Sequence, residues 1–209
     1  MSVISLHELT LIKQTAQGKL LNSHQSEFPR ELYKQLDLVI KQKRLGLNVQ
    51  PLLKADPLLN HCLEQLESLL VGIFEPQRKL FIDSTLTNQL TQDYTISIHT
   101  NIGMVKGFPR LIEWGIRMPQ LNWQDRVKLW VATRYYQVKP HQLKLTVLAL
   151  HPHQEAAKYT HRWSSEQQQQ TEHYLRKLLS SQIKPFPPKA QLPSWNQLTN
   201  LEEIPEVPI

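Results

Sequence analysis

The chain has 209 residues, of which 40% are apolar and 20% charged, a composition that suits one globular domain. Its single cysteine, Cys62, excludes an internal disulfide and a cysteine-rich zinc site, and it predicts a reducing compartment. No basic segment followed by an apolar one opens the chain, and no apolar run is long enough for a bilayer, so we expect a soluble cytoplasmic protein without a membrane partner. The formal charge of +6 at pH 7 favours phosphate-bearing partners.

Helical patterns fill the first third of the chain. Residues 1–25 are mixed and polar, with a short predicted helix at 7–15. An amphipathic helix is predicted from Pro29 to about Lys43, because its apolar residues recur on one face. Asp56 is the predicted cap of a second helix, which ends near Gly72 and has Cys62 on its apolar stripe as a core residue.

The middle of the chain has the alternation that is typical of strands. Strands are predicted at 79–83, 94–99 and 110–116, with a turn at 101–103. On the third strand Glu113 and Gly115 lie on the same side, because side chains alternate. Glu113 is the one acidic residue of this predicted strand.

The last third returns to helix and strand before a proline-rich tail. A helix is predicted after Asn122, an apolar central strand at 143–150, and a last helix after Ser164 whose glutamine run 167–170 we interpret as a solvated face. Six of the fourteen prolines follow Lys184, so the tail is predicted to be extended or disordered. We predict an N-terminal extension (1–28), one domain (29–183) and a tail (184–209).

The order of these elements predicts an α/β fold, in which a mixed sheet is flanked by helices. Several stretches carry a resemblance: KQKRLGLNVQPLLKADPLL, YTISIH, RLIEWGIRMP, WQDRVKLWVA, LKLTVLAL and RWSSEQQQQTEHYLRKLL. In this order and spacing the chain resembles the small RecB-type members of the PD-(D/E)XK nuclease superfamily, over roughly residues 30 to 180. The resemblance implies an αβββαβ core.

The resemblance also implies a metal site, from which this sequence departs. In active relatives a carboxylate on one strand and a D/E-x-K triplet on the next hold a divalent metal that polarises the phosphate. The resemblance implies that the triplet acid is Glu113, that its lysine is replaced by Gly115, and that Gln124 is kept. The other family positions fall on non-matching residues: Asp37 for a histidine, Thr95 for the first acid and Lys128 for a tyrosine.

Two interpretations of Glu113 stay open at this point. One is a structural ion pair with Arg110, Arg117 or Lys128, because an isolated buried charge is costly. The other is a relic metal ligand. A rearranged nuclease site would then combine Glu113 with Asp93 as Mg²⁺ ligands and with a displaced lysine, either Lys128 or Lys106.

Basic side chains on two predicted helices are candidates for binding nucleic acid. They are Lys34, Lys41, Lys43, Arg44, Arg126, Lys128 and Arg134. His151 and His153 follow the fourth strand, but without a third ligand nearby we interpret them as part of a polar loop.

The sequence therefore predicts a catalytically impaired PD-(D/E)XK-like protein that binds DNA or RNA or acts as a scaffold, without a cofactor, and with the tail as a docking strand for a protein partner. The alternatives are a Mg²⁺-dependent nuclease with Asp93, Glu113, Lys128 and Gln124 as candidate site residues, and a purely structural protein.

Overall fold

The computed structural model of the chain describes residues 2–17, 27–71, 75, 79–105 and 107–180. The helices within these ranges are α1 (Leu6–Ala16), α2 (Glu27–Arg44), α3 (Gln50–Ala55), α4 (Pro57–Leu69), α5 (Trp123–Tyr135) and α6 (Ser165–Ser180), and a short 3-10 helix spans Pro140–Gln142. The strands are β1 (Ser2–Ser5), β2 (Leu80–Gln89), β3 (Tyr94–Val105), β4 (Phe108–Ile116), β5 (Lys144–Leu150) and β6 (Ala157–Arg162).

All six strands join one mixed sheet, which confirms the predicted fold class. β3 pairs in parallel with β1 and antiparallel with β2 and β4. β4 continues in parallel with β5, which pairs antiparallel with β6. The helix–strand–strand–strand–helix–strand core that the sequence predicts is therefore formed by α2, β2, β3, β4, α5 and β5.

Helices cover both faces of the sheet, and each face has its own buried apolar cluster. One cluster joins α1, α5 and α6 to the sheet through residues such as Leu9, Trp130 and Leu175. The other joins α2, α3 and α4 to the opposite face through residues such as Leu36 and Leu66. Burial on two faces explains why β5 is apolar at nearly every position.

The sheet forks at the strand pair that carries Glu113. Thr95 on β3 is opposite both Val3 and Gln89, so β1 and β2 lie on opposite edges of β3. Gly103 is likewise opposite one residue of β2 and one residue of β4, so these two strands also lie on opposite edges of β3. β4 therefore lies on the same edge of β3 as β1. The β3–β4 pairing ends at Ile112, and β4 goes on alongside β5 alone. Glu113 is therefore the first residue of β4 beyond the fork.

Predicted helix caps are confirmed by hydrogen bonds. The Leu59 N–H donates to Asp56 Oδ1 at 2.9 Å, and Pro57 follows at the first helical position. At α5 the Asp125 N–H donates to Asn122 Oδ1, and the Asn122 N–H donates to Asp125 Oδ2, each at 2.9 Å. These local signals fix where α4 and α5 begin.

The strand boundaries differ from the predicted ones. β2 and β3 are longer than predicted, and residues 101–103, predicted as a turn, lie inside β3. Gly103 is there because of close packing: a Cβ at this position would lie 3.0 Å from Ile112 Cδ1. β1, α3 and β6 were not predicted, since each is short or polar. The predicted extension at 1–28 contains β1, which pairs with β3 in the sheet, and α1, which packs against the sheet.

One predicted solvated face is partly wrong. Within the glutamine run of α6, Gln168 is 6% exposed and accepts a hydrogen bond from Trp163 Nε1–H at 2.6 Å. Gly72, Lys106 and the tail at 184–209 lie outside the described residues, so the domain boundaries stay a prediction. Across the described ranges, none of the helices has the length and apolar character needed to cross a membrane.

Candidate functional site at the sheet fork

Both carboxylate oxygens of Glu113 are engaged by donors from other elements. Lys128 Nζ on α5 donates to Glu113 Oε2 at 2.7 Å, and Thr100 Oγ1 on β3 donates to Glu113 Oε1 at 2.8 Å. The Glu113 and Lys128 side chains are only 13% and 14% exposed. Of the ion-pair partners that the sequence left open, the structure selects Lys128.

Gly115 occupies the position where the resemblance implies a lysine, and its backbone is in a conformation that side-chain-bearing residues rarely adopt. Its φ is +153°. A lysine on β4 two residues after Glu113 would therefore be strained. The amine beside Glu113 comes from Lys128 on α5, a contact that both interpretations of Glu113 allow.

Asp37 on α2 approaches β4 from the other face of the sheet. Trp114 Nε1–H donates to Asp37 Oδ1 at 2.8 Å. Burial raises the pKa of Asp37 to about 6, although the hydrogen bond from Trp114 opposes the rise. The negative charges of Asp83 and Glu113 raise this pKa further, while Lys41 lowers it. Asp37 is thus electrostatically coupled to two other acids at the fork.

Asp83 lies at an irregularity of β2, where the register with β3 shifts. Its φ is +55°, a left-handed conformation that is uncommon for aspartate. Three groups hold it: the Asn101 Oδ1 accepts from its N–H at 2.8 Å, Lys41 Nζ lies 3.6 Å from its Oδ2, and His99 Nδ1 lies 3.1 Å from its Oδ1. The left-handed backbone at Asp83 directs its carboxylate toward α2, within a strand that is otherwise regular.

Asp37 is therefore influenced by the charges of two acids from other elements, and each of those two acids is paired with a lysine. Asp37, Asp83 and Glu113 come from α2, β2 and β4. Lys41 pairs with Asp83, and Lys128 pairs with Glu113. Over the ranges that the structure describes, no group of three or more histidine, cysteine, aspartate or glutamate side chains is arranged to hold a metal ion.

Two residues that the sequence associated with this site lie elsewhere. Thr100 contacts Glu113, and Asp93 precedes Thr100 by seven residues, about 23 Å along an extended strand at ~3.3 Å per residue. The structure therefore does not bring Asp93 to Glu113. Thr95 is five residues short of the fork, and its buried Oγ1 has no hydrogen-bond partner among the described residues.

The remaining predicted neighbours of the site have structural partners. Gln124 on α5 donates to Thr10 Oγ1 of α1 at 3.1 Å. Arg117 Nη1 donates to Asp125 Oδ1 at 2.9 Å, and a second bond joins Nη2 to Asp125 Oδ2. Asp125 is 1% exposed, so this bidentate pair supplies the partner that a buried carboxylate needs.

The basic residues predicted to bind nucleic acid lie on α2 and α5, which cover opposite faces of the sheet. Five of them form ion pairs with acids: Lys34 with Glu31, Lys41 with Asp83, Lys43 with Glu67, Lys128 with Glu113 and Arg134 with Glu172. Arg44 donates to the Glu75 backbone oxygen at 3.2 Å, and Arg126 is exposed on α5. Internal pairing reduces the positive field that these residues offer to a phosphate backbone.

The loop with His151 and His153 has a structural role, as predicted. The His151 Nδ1 accepts from the backbone N–H groups of His153 and Gln154 at 3.1 and 3.0 Å. The side-chain amide of Gln65 on α4 holds the backbone of this loop. Its Nε2 donates to the carbonyl oxygens of His151 and Gln154, and its Oε1 accepts from the His151 N–H. The imidazole therefore closes a turn after β5.

Sequence reasoning missed Thr100, Asp83 and His99 as members of the site. The signal for Thr100 was the strand register, which follows only from where the β3–β4 hairpin turns. The signal for Asp83 was an acid at the end of the strand predicted at 79–83. Neither signal identifies a site residue until the strand pairing at the fork is known.

Comparison with known proteins gives a likeness in structure only. No family model and no curated protein matches the chain. The chain is similar to a protein from Eubacterium rectale named "Putative exonuclease", with a TM-score of 0.52 and 9% identity over 99% of this chain and 90% of that chain. It also aligns with SSO0001, with a TM-score of 0.41 and 10% identity over 88% and 78% of the two chains, a score that establishes no common fold. The first likeness shows a shared fold.

Proposed function

We propose that this chain is a PD-(D/E)XK-like protein that binds nucleic acid without cleaving it. The observation that carries the proposal is the engagement of Glu113, the one acid kept from the family triplet, by Lys128 and Thr100. An ammonium group at 2.7 Å neutralises the carboxylate at the place where a relative would hold a cation. The site thereby supplies a neutral, largely buried ion pair that holds α5 at the fork.

The donor set does not fit the divalent metal that the family implies. Mg²⁺ takes about six oxygen ligands, usually through one or two carboxylates and several waters. At this fork the residue of β3 beside Glu113 is Thr100, which is not an acid, and Glu113 already accepts two hydrogen bonds. A cation would have to displace the Lys128 ammonium from a largely buried pair.

Binding to nucleic acid is supported by charge and by fold. The chain has a formal charge of +6, and its basic excess favours polyphosphates through counterion release. The shared fold with a protein named "Putative exonuclease" supports a nucleic acid as the ligand class. Arg126 is exposed on the outer side of α5, so it is the group that we assign to the first phosphate contact.

The second candidate function is a metal-dependent nuclease with a rearranged site. It is favoured by the electrostatic coupling of Asp37 to Asp83 and Glu113, although these acids are not arranged to hold a metal ion within the described ranges. In this site the metal ligands beside Glu113 would be Asp37 and Asp83 instead of Asp93. This function requires the Lys41 and Lys128 ion pairs to open.

One experiment separates these functions. The full chain is titrated into labelled single- and double-stranded DNA and RNA at salt concentrations between about 50 and 200 mM, with Mg²⁺ or Mn²⁺ present. We expect binding that weakens steeply with salt, and intact polymer after prolonged incubation. An Arg126→Gln variant should bind less tightly, whereas Lys177→Gln, which removes one charge from the last turn of α6, serves as the matched control.

Metal-dependent cleavage that disappears in Glu113→Gln would overturn the proposal and establish the nuclease. Absence of both binding and cleavage would leave a structural or scaffolding protein. A control digestion with added commercial nuclease shows that the polymers are cleavable under the same conditions.

A further inference from the structure

Three basic residues lie side by side at one end of the sheet. In the strand register Arg110 of β4 is opposite Lys144 of β5, and Lys144 is opposite Arg162 of β6. Residues that are opposite each other on paired strands point to the same face of the sheet, so the three side chains form one line, which we call the basic row. Adjacent strands are about 4.8 Å apart, so the row is roughly 10 Å long.

The basic row is unfavourable for the folded chain by itself, because like charges that lie directly opposite each other on paired strands repel. The ion pairs among the described residues all belong to other cations, such as Lys128 and Arg134, and none involves the three residues of the row. An anionic ligand would therefore relieve the repulsion without breaking an ion pair.

The face of the sheet on which the row lies follows from strand alternation. Arg110 is two residues before Ile112, which packs in the cluster beneath α2, α3 and α4, so both side chains are on that face. Arg162 is exposed, and Arg110 and Lys144 are partly exposed. The row is therefore accessible from solvent on the side of the sheet opposite to α5.

Lys144 lines two open clefts. It shares one of about 210 Å³ with Arg110 and one of about 690 Å³ with Arg162. Glu166 also lines the second cleft, but its carboxylate accepts a hydrogen bond from Gln170 Nε2 at 3.0 Å and does not pair with the row. A chain of anionic groups could follow the row from one cleft to the other.

An exposed aromatic ring adjoins the basic row. Phe108 is two residues before Arg110 on β4, so it is on the same face, about 7 Å along the strand. It is 44% exposed and lines the same cleft as Arg110 and Lys144. Surfaces that bind single-stranded nucleic acids combine cations that follow the backbone with aromatic rings on which bases stack. Cations alone would fit any polyanion, whereas the added ring fits a polymer with unpaired bases.

We propose that the basic row and Phe108 form a binding site for a single-stranded nucleic acid, with phosphate groups on the row and one base stacked on the ring. The inference rests on the proposed function and narrows it to a single-stranded polymer. Phosphates of one strand are about 3.4 Å apart along the axis of a duplex, so a row of roughly 10 Å has room for at least two of them in a more extended strand. The site is separate from Arg126, which lies on α5 at the other face of the sheet.

Fluorescence anisotropy with the full chain tests the site. The probes are a labelled oligothymidylate of about twelve nucleotides and a duplex of the same length. Lys144→Gln removes the central cation, and Phe108→Leu keeps an apolar side chain without an aromatic face. The matched controls are Lys177→Gln and Tyr174→Leu on α6, where the lysine is exposed and the tyrosine is 39% exposed.

Phe108→Leu should weaken binding of the single strand about fivefold or more and leave binding of the duplex unchanged, because only unpaired bases stack on the ring. Lys144→Gln should reduce the slope of log K against log salt concentration by about 0.7, the value for one phosphate contact on a single strand. Its melting temperature should equal or exceed that of the parent chain, because the substitution removes like-charge repulsion. The loss of binding would then not be a folding defect.

Site variants that bind the single strand as tightly as the parent chain would overturn the inference and leave the proposed function standing. A parent chain that binds neither probe would overturn both. Equal losses for the single strand and the duplex in Phe108→Leu, or equal losses in the site variants and the α6 controls, would also overturn the inference, because they would show binding by overall charge.

Discussion

Lys128 Nζ on α5 lies 2.7 Å from Glu113 Oε2 on β4, and the two side chains are 14% and 13% exposed. A buried pair of this kind does not need to be strongly favourable, since both charges lose hydration. Breaking it is costly, because the remaining charge is left without its partner. The pair therefore holds α5 against the fork, and it is the first relationship to test.

Lys128→Met should lower the free energy of unfolding by about 3 kcal/mol, because Glu113 would keep only the Thr100 hydroxyl. Urea unfolding at neutral pH measures the change. In the double variant with Glu113→Gln, part of the loss should return, which gives a coupling energy for the pair. Arg134→Met is the control: its pair with Glu172 is half exposed, so a loss of at most about 1 kcal/mol is expected. Equal losses in the two single variants would contradict this account.

Asp37→Asn should stabilise the protein at neutral pH. The folded-state pKa of Asp37 is raised to about 6 by burial, so the native state binds a proton more tightly than the unfolded chain. The stabilisation from the protonated form is complete below about pH 4 and is lost as the pH rises through 6. The variant retains an acceptor for Trp114 Nε1–H, and it should exceed the parent by about 3 kcal/mol at pH 7.5 and by roughly half as much at pH 5.

Chemical unfolding of the parent and the Asp37→Asn variant across this pH range measures the difference. A stability difference that does not change with pH would show that Asp37 does not titrate there. Stabilisation at neutral pH would mean that the acid is retained at a cost to folding, as at functional sites.

Gly115→Ala should destabilise the protein by about 1 to 3 kcal/mol, because a φ of +153° is essentially restricted to glycine. Gly115→Lys, which would create the D/E-x-K triplet that the resemblance implies, should be at least as costly and should not create a nuclease. Melting temperatures and a cleavage assay with Mg²⁺ check both statements. An undiminished melting temperature in the alanine variant would show that the backbone relaxes without strain.

Gln168→Leu should cost about 1 to 3 kcal/mol, since it leaves Trp163 Nε1–H without the acceptor that lies 2.6 Å away in a buried site. Gln169→Leu is the matched control on the next, exposed position of the same run. We expect it to change stability by less than about 0.5 kcal/mol. Thermal unfolding of the two variants side by side distinguishes them, and equal effects would mean that Gln168 is not a core residue.

Much of the fold could be predicted from local patterns. The Asp56 and Asn122 caps and the apolar face of α2 depend on residues within a few positions of each other, and each is confirmed. The ends of β2 and β3 could not be predicted, because a residue such as Gly103 reads as a turn unless the packing of Ile112 against it is known. The short strands β1 and β6 were missed for the same reason: pairing with a distant strand, and not their own composition, makes them strands.

For the site, the sequence by itself determined that Glu113 stands on a strand with Gly115 two residues later, and it left Lys128 open as one of three ion-pair partners. Only the tertiary structure decided that Lys128 meets Glu113, that Thr100 and not Thr95 lies beside it, and that Asp37 and Asp83 join the field while Asp93 does not. The physical reason is register. A shift of five residues along a strand moves a side chain by about 17 Å, and hydrophobic alternation does not distinguish one register from another two residues away.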